Sequence, residues 1–348
     1  MTPVDPAHVL QSPKLLAVDP DGRMQHMPRS ALAALFRPGD LVVANDAATL
    51  PASLQGTHRP TGAPIELRLA AWIARDDPTR FAAIAFGAGD HRTRTEDRRP
   101  APPLAPGDPI DLGPLEATVE TTPHPRLFHL RFAGSPAAVL AGIARHGRPI
   151  QYAHRIAPLA LWDVWTPIAA QPIALEPPSA GFALDWRMLR RWRERGIGFA
   201  TLTHAAGISS TGDAALDALL PFDEPYRIPA RTAAVIDATR KRGGRIVAIG
   251  TSVVRALEHA AGSTGRVVAG DGVATGRIGP QTPLRVVDAL LTGVHAPQDS
   301  HFQLMRAFAS DEMLSQVAQA AQEHRYREHE NGDSMLIEAS RQRAAALL

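Results

Sequence analysis

The stretch that decides the fold is RIVAIGTSVVRALEHAAG, Arg245–Gly262. A short run of β-branched and apolar residues, RIVAIG, predicts a buried strand, and the segment that opens at Thr251 has the spacing of an amphipathic helix. Strands and helices alternate in the same way throughout the chain after about residue 155, as in IGFATLTHAAG and RVVDALLTGVHAPQDSHFQLMRAFA. Such alternation predicts an α/β domain with a mostly parallel sheet.

A different pattern occupies roughly residues 60–150. Period-two segments such as PIELRLAAW, RFAAIAFG and LFHLRFAG are separated by Gly, Pro and charged turns. Several short strands at this spacing predict an all-β, barrel-like domain. We therefore expect an α/β main domain made of residues 1–60 and 151–348, with residues 61–150 inserted as a β-barrel.

In α/β sheets ligands bind beyond the carboxyl ends of the strands, so the loops at those ends are the candidate sites. Gly250 and Thr251 open a helix whose free N–H groups favour an anionic or carbonyl-bearing ligand. Arg255 and Glu258 follow on one face of that helix, where their spacing of three also allows them to pair with each other as a surface pair.

Other polar residues follow the neighbouring strands. His204 in THAAGISS is a structural histidine or a ligand contact, and FDEPYRIP, with Glu224 and Tyr226, is either a turn or a site for a hydroxyl-rich ligand such as ribose. Asp288 and His295 lie on either side of ALLTGV, and an extended strand would separate them by over about 20 Å. Asp288 is thus expected to be a structural anchor and His295 a site residue beside the Pro297–Ser300 turn.

Composition excludes several classes of function. The chain has no cysteine, which removes disulfides and thiolate chemistry, and its histidines lack the spacing of a metal site. No G-x-S-x-G elbow, phosphate loop or dinucleotide fingerprint occurs. The formal charge is only +2, so any polyanion site depends on local arginine clusters such as DWRMLRRWRERG and RKRGGR. Without a signal peptide or a long apolar run, we expect a cytoplasmic protein that uses no membrane and no metal.

Eight ordered blocks resemble one family, the S-adenosylmethionine:tRNA ribosyltransferase-isomerases of queuosine biosynthesis. The resemblance covers the chain from Lys14 to Ile337, and the blocks read RPGDLVVANDAATLPASLQG, PPSAGFAL, TLTHAAG, FDEPYRI, RIVAIGTSVVRALE, VVDALLTGVHAP, MRAFAS and YREHENGDSMLI.

This resemblance implies that the ribosyl part of S-adenosylmethionine is moved to the aminomethyl group of a 7-deazaguanine in tRNA and isomerised to give epoxyqueuosine. S-Adenosylmethionine would be a co-substrate with no further cofactor, tRNA would be the other partner, and we expect a monomer. The resemblance suggests Glu224, Arg255, Glu258 and His295 as catalytic residues. It suggests substrate contacts at Asn45, Asp46, Gly181, Gly207, Tyr226, Gly250, Thr251, Thr292, Tyr326 and Asp333.

Departures from the family pattern fall on polar groups. The chain has alanine at 47, 48 and 183, Ser53, Phe222 and Gly293 where the family has arginine, histidine or other polar residues, and Gln298 stands in place of a lysine. The histidine of the family motif TLHVGAGTF is replaced by Thr203, and His204 is displaced from it by one. An alternative hypothesis is therefore a divergent paralogue, with the same scaffold, that binds a nucleoside-like ligand or acts on another substrate.

Overall fold

The computed structural model describes residues 13–74, 76–154, 157–295, 300–327 and 332–340. Its strands, in chain order, are β1 (Lys14–Val18), β2 (Met24–Pro28), β3 (Leu41–Asn45), β4 (Ala47–Thr49), β5 (Ser53–His58), β6 (Ala63–Trp72), β7 (Arg80–Phe86), β8 (Pro109–Leu112), β9 (Leu115–His124), β10 (Leu127–Phe132), β11 (Gln171–Ala174), β12 (Gly198–His204), β13 (Glu224–Ile228), β14 (Ile246–Ile249), β15 (Gly270–Ala274), β16 (Ala289–Gly293) and β17 (Ser334–Glu338). The helices are α1 (Leu32–Leu35), α2 (Pro136–His146), α3 (Trp186–Glu194), α4 (Ala214–Asp217), α5 (Ala230–Lys241), α6 (Thr251–Ala261), α7 (Ser300–Met305) and α8 (Asp311–Glu323).

A nine-stranded sheet forms the main domain, in the order β15-β13-β12-β3-β14-β16-β17-β1-β2. The four central strands, β12, β3, β14 and β16, are parallel to one another. Antiparallel pairs lie on both flanks, where β13 meets β12 and β17 meets β16. The predicted α/β domain is confirmed; its sheet is mixed, with the parallel strands at the centre.

Helices cover both faces of this sheet because the central strands are apolar at successive positions. Leu41 and Val43 of β3 pack with residues of α5, α6 and α8. Val42 and Ala44, which point the opposite way, pack with α1 and α3, including Trp192. A strand buried on both faces reads as a continuous apolar run, as LVVAN and IVAI do.

The inserted domain is a closed barrel of six strands, in the order β10-β7-β6-β5-β8-β9. Its interior contains alternate residues of each strand, such as Leu67 and Leu69 of β6 and Phe81 of β7. Helix α2 packs on the barrel, where Gly142 lies so close to Leu115 that a Cβ atom would be 2.4 Å from its side chain. The barrel strands run from Ser53 to Phe132, so the first strand precedes the composition change near residue 60.

The barrel and the α/β domain share a small apolar cluster that includes Ala70, Ile84, Ile208 and Leu216. Trp72 of β6 donates its indole N–H to the carbonyl of Ile173 at 2.9 Å. These contacts fix the end of β6 against the carboxyl ends of the central strands, where the candidate site lies. Within the described ranges, no helix is both long and apolar enough to cross a membrane.

Candidate active site

Asn45, the last residue of β3, ties together three elements at the carboxyl edge of the sheet. Its side-chain N–H groups donate to the carbonyl of His204 at 2.9 Å and to the hydroxyl of Ser252 at 3.3 Å. Its side-chain oxygen accepts from the backbone N–H groups of His204 at 2.9 Å and Ala47 at 3.0 Å. Asn45 thus joins the ends of β3 and β12 to the first turn of α6.

Asp46 lies immediately beyond this junction. Its carboxylate accepts a hydrogen bond from the hydroxyl of Thr203 at 2.6 Å. Its carbonyl accepts from the backbone N–H groups of Ala170 and of Gln171, the first residue of β11. Asp46 is half-buried, and its carboxylate holds the end of β12.

Glu224 and Arg255 form a buried ion pair beside Asn45. One carboxylate oxygen of Glu224 contacts the Arg255 guanidinium, and the other accepts from the backbone N–H of Gly207 at 2.7 Å. Burial raises the pKa of Glu224, and the charge of Arg255 opposes that shift. Arg255 also donates to three backbone carbonyls, those of Phe222, Ala274 and Gly276, at 3.1–3.2 Å. This arrangement contradicts the surface-pair alternative, because the partner of Arg255 is Glu224.

Gly207 allows this packing because it approaches the barrel closely. A Cβ atom at this position would lie 2.6 Å from the carbonyl oxygen of Ala70 and 3.4 Å from Glu224. Any larger residue would push the loop away from β6 and displace the N–H that holds the Glu224 carboxylate.

His204 is completely buried beside this pair. Its Nε2 lies 3.4 Å from a carboxylate oxygen of Glu224, and neither ring nitrogen has a hydrogen-bond partner among the described residues. Burial, followed by the charge of Arg255, lowers the pKa of His204 to about 3. The imidazole is therefore neutral near pH 7.

Glu258, three residues beyond Arg255, has a separate set of partners. Its carboxylate accepts three backbone hydrogen bonds, from Arg285 at 2.8 Å, Val286 at 3.0 Å and Val287 at 2.9 Å. Burial raises the pKa of Glu258, against the effect of these donors. The carboxylate fixes the chain that leads into β16, at the amino end of that strand and away from the carboxyl edge.

A cavity of about 350 Å³ lies against the outer side of α6. Arg255, Glu258 and His259 line it from the helix, and Arg277 and Arg285 line it from the opposite wall. Two of the predicted catalytic residues therefore face this cavity as well as the interior.

Two glycines and Thr251 shape the neighbouring loop. Gly250 has a φ of +94° and directly precedes α6, where the sequence predicted the helix to open. Thr251 follows as the first residue of that helix. Gly181 packs against Thr166, whose methyl carbon would lie 2.9 Å from a Cβ at that position. A Cβ atom at Gly250 would lie 3.5 Å from that of Ala180, so the 179–183 turn packs on the N-terminus of α6.

Tyr226 and His259 form a further polar pair. The Tyr226 hydroxyl and Nδ1 of His259 are 3.1 Å apart, and burial raises the pKa of Tyr226. Gly272 permits this position, because a Cβ there would lie 2.4 Å from the tyrosine ring. Tyr226 lies with its ring between β15 and α6.

At the end of β16, Thr292 and His295 lie together. The Thr292 hydroxyl is 3.1 Å from Nε2 of His295, and the rings of His295 and His301 stack with centroids 4.6 Å apart. At the other end of the strand Asp288 accepts from the backbone N–H of Ile246 at 2.7 Å. Asp288 and His295 thus lie beyond opposite ends of β16. Of the turn that follows, positions 297–299 lie outside the described residues.

Tyr326 and Asp333 lie further along the same edge, near the start of β1. The Tyr326 hydroxyl donates to the carbonyl of Leu15 at 3.2 Å, and the Lys14 ammonium lies 5.0 Å from the centre of its ring. Asp333 accepts from the backbone N–H groups of Lys14 at 2.7 Å and Arg327 at 2.9 Å. Both residues anchor β1 to the segment before β17, at a distance from Glu224 along the sheet.

Our reading of the sequence missed a buried charged cluster where the barrel meets this site. Arg68 and Arg98 bind opposite oxygens of Glu66 at 2.8 Å and 2.7 Å. The Tyr152 hydroxyl donates to buried Glu176, whose charge in turn acts on Glu224. Charged residues within the period-two strand PIELRLAAW are the signal that could have pointed to this cluster. Among the residues that the structure describes, no group of three or more metal-binding side chains is assembled.

Comparison with known proteins gives one consistent result. The family model described as "Queuosine biosynthesis protein" matches residues 2–337. The chain is 30% identical to the S-adenosylmethionine:tRNA ribosyltransferase-isomerase of Citrifermentans bemidjiense, over 95% of this chain and 94% of that protein. It is 34% identical to the protein of the same name from Sorangium cellulosum, over 93% of this chain and 91% of that one.

A solved structure, that of the S-adenosylmethionine tRNA ribosyltransferase from Thermotoga maritima, is 22% identical to this chain. The match covers 97% of this chain and 95% of that one, with a TM-score of 0.49.

Proposed function

This chain belongs to the queuosine biosynthesis protein family, and we propose from this premise that it is an S-adenosylmethionine:tRNA ribosyltransferase-isomerase. The reaction transfers the ribosyl group of S-adenosylmethionine to the aminomethyl group of 7-aminomethyl-7-deazaguanine in tRNA. Ring rearrangement gives epoxyqueuosine, and adenine and methionine are released. The family match along residues 2–337 is the observation that carries this proposal.

Such a reaction needs a base to take a proton next to the sulfonium and an acid to assist the departure of adenine. It also needs a site from which water is excluded. The carboxyl edge supplies groups suited to these tasks, because burial raises the pKa of Glu224 and keeps His204 neutral. Exclusion of water from these side chains also strengthens their electrostatic effect on a cationic substrate.

We assign proton transfer to Glu224 and His295. Glu224 is held by Arg255 and Gly207 in one orientation, which a general acid or base requires. His295 is half-buried at the end of β16 and has Thr292 to orient its ring. Glu258 contributes through position, because all of its described hydrogen bonds are with backbone N–H groups.

We propose the other residues that the family resemblance suggests as substrate contacts or as supports for them. We place Asn45, Asp46, Gly181, Gly207, Gly250 and Thr251 around the S-adenosylmethionine, and Tyr226, Thr292, Tyr326 and Asp333 in supporting positions. S-Adenosylmethionine is a co-substrate in this proposal, and the protein acts in the cytoplasm as a monomer without a metal.

The test is to incubate the purified protein with S-adenosylmethionine and tRNA that carries the aminomethyl-deazaguanine. Mass spectrometry of the digested tRNA should show the epoxyqueuosine nucleoside, and free adenine should appear in equal amount. Glu224→Gln should abolish both products, whereas the exposed control Arg231→Gln should leave them unchanged. Binding of S-adenosylmethionine without either product from the wild-type protein would instead support a divergent paralogue.

A further inference from the structure

Three of the five tryptophans of this chain are exposed, and all three lie between residues 162 and 186. Trp162 is 76% exposed, Trp165 43% and Trp186 70%. Trp192, by contrast, is completely buried. Large exposed aromatic side chains that occur close together mark interaction surfaces, because their desolvation favours binding.

Trp165 is held in a fixed orientation although one part of its ring is exposed. Its indole N–H donates to the carbonyl of Thr49 at 2.9 Å, and the hydroxyl of Thr49 donates to the carbonyl of Val164 at 2.9 Å. Val164 and Thr166 on either side of it are buried. A ring fixed in this way loses little conformational entropy when a flat partner stacks on it.

This indole lies close to the candidate site. Thr49 is the last residue of β4, three residues beyond Asp46, which an extended chain places about 10 Å away. Strand β4 pairs with β11 and begins directly after the carboxyl end of β3. The ring is therefore within the reach of one or two nucleotides from the carboxyl edge.

The residues around Trp165 favour binding of a polyanion that carries flat, unpaired bases. Trp186 begins α3, which exposes Arg187, Arg190, Arg191 and Arg193. The turn before that helix contacts the Trp165 segment, since Gly181 packs against Thr166. Aromatic rings that stack bases beside arginines that meet phosphates are the usual composition of a surface for single-stranded RNA.

We infer that Trp165, assisted by Trp162, is a stacking platform for an unpaired base that neighbours the base being modified. An enzyme that acts on a base in an RNA loop must take it out of its stack, and the neighbouring base then needs another surface on which to stack. The arginines of α3 would contact the adjacent phosphates. This inference rests on the proposed function and specifies how its RNA substrate is held.

The test measures the Kd of the full-length protein for an unmodified RNA anticodon stem-loop at several salt concentrations. Trp165→Ala should raise Kd by about 5- to 150-fold, the usual effect of removing one base–aromatic stack. The slope of log Kd against log salt should not change, because no phosphate contact is lost. Trp165→Tyr, which keeps an aromatic face, should recover most of the affinity.

Val268→Ala is the matched control, because Val268 is 65% exposed and lies outside the region of the tryptophans. It should leave Kd unchanged. An equal Kd for wild type and Trp165→Ala, in a protein that binds the stem-loop and forms epoxyqueuosine, would overturn the platform but not the proposed function. If Trp165→Ala lost self-association and kept its affinity for RNA, the tryptophans would form a protein contact, and the stacking platform would be overturned as well. A wild-type protein that binds no stem-loop would also overturn the platform, and only the absence of epoxyqueuosine and free adenine as products would refute the proposed function.

Discussion

The Arg255→Met variant tests the ion pair at the centre of the candidate site. It removes the guanidinium that contacts Glu224 and that donates to three backbone carbonyls. Breaking a buried pair by removing one partner leaves the other charge without compensation, at a cost of about 3–5 kcal/mol in the free energy of unfolding. We expect a loss of this size at about pH 8.

The loss should depend on pH, and its sign follows from the pKa of Glu224. Burial already raises that pKa in the folded protein, and removing Arg255 raises it further. When the pKa of a carboxyl group is higher in the folded than in the unfolded protein, its contribution to stability is present in full at pH values below the unfolded pKa. That contribution is lost as the pH rises through the folded pKa. The deficit of Arg255→Met should therefore grow between about pH 5 and pH 8, by at most about 1.4 kcal/mol per pH unit.

Urea unfolding followed by circular dichroism at the two pH values measures this deficit. The exposed control Arg231→Met should change stability by less than about 0.5 kcal/mol. The double variant Glu224→Gln, Arg255→Met should recover part of the loss, because neither charge of this pair then remains buried without its partner. A deficit that is equal at both pH values, or a double variant as unstable as the sum of the two single variants, would refute the reasoning.

Two further variants test neighbouring features. In the wild type the buried imidazole of His204 stays neutral while the unfolded chain takes up a proton, so stability falls as the pH drops from 6.5 towards 3. In His204→Leu this fall should be less steep, by up to about 1.4 kcal/mol per pH unit. Measuring the free energy of unfolding at several acid pH values tests the difference. Gly207→Ala should cost about 1–3 kcal/mol in urea unfolding, because its Cβ would meet the carbonyl oxygen of Ala70. Gly279→Ala, which has nothing within 4 Å, should change stability by less than about 0.5 kcal/mol.

The elements of the fold could be predicted where burial shows directly in the sequence. LVVAN and RIVAIG are apolar on both faces, and they form adjacent strands at the centre of the sheet. The antiparallel flanks could not be predicted in this way, since the direction of β13 or β17 depends on how the chain turns between elements. The alternation of apolar and polar residues likewise indicated a barrel. It did not indicate that β5, in the SLQGTH segment, is one of the barrel strands.

The partners within the site depended on contacts that local spacing does not show. A spacing of three on one helix allowed Arg255 and Glu258 to pair, but both are buried, and each needs more partners than the other could supply. Arg255 pairs with Glu224, 31 residues away in the sequence, and Glu258 accepts hydrogen bonds from the backbone of the segment before β16. Long-range pairs of this kind depend on the packing of α6 against β13, which the sequence pattern leaves open.

The position of His204 shows how a shift of one residue changes the chemistry of this edge. Successive side chains of a strand point to opposite faces, so a histidine at 203 and one at 204 cannot occupy the same place. Thr203 faces Asp46, to which it donates a hydrogen bond at 2.6 Å, whereas His204 lies 3.4 Å from Glu224. A histidine moved by one position therefore leaves the Asp46 side of the sheet and joins the Glu224–Arg255 pair. In this chain the Asp46 carboxylate therefore has the hydroxyl of Thr203 as its partner, and the imidazole lies with the Glu224–Arg255 pair on the other face of the sheet.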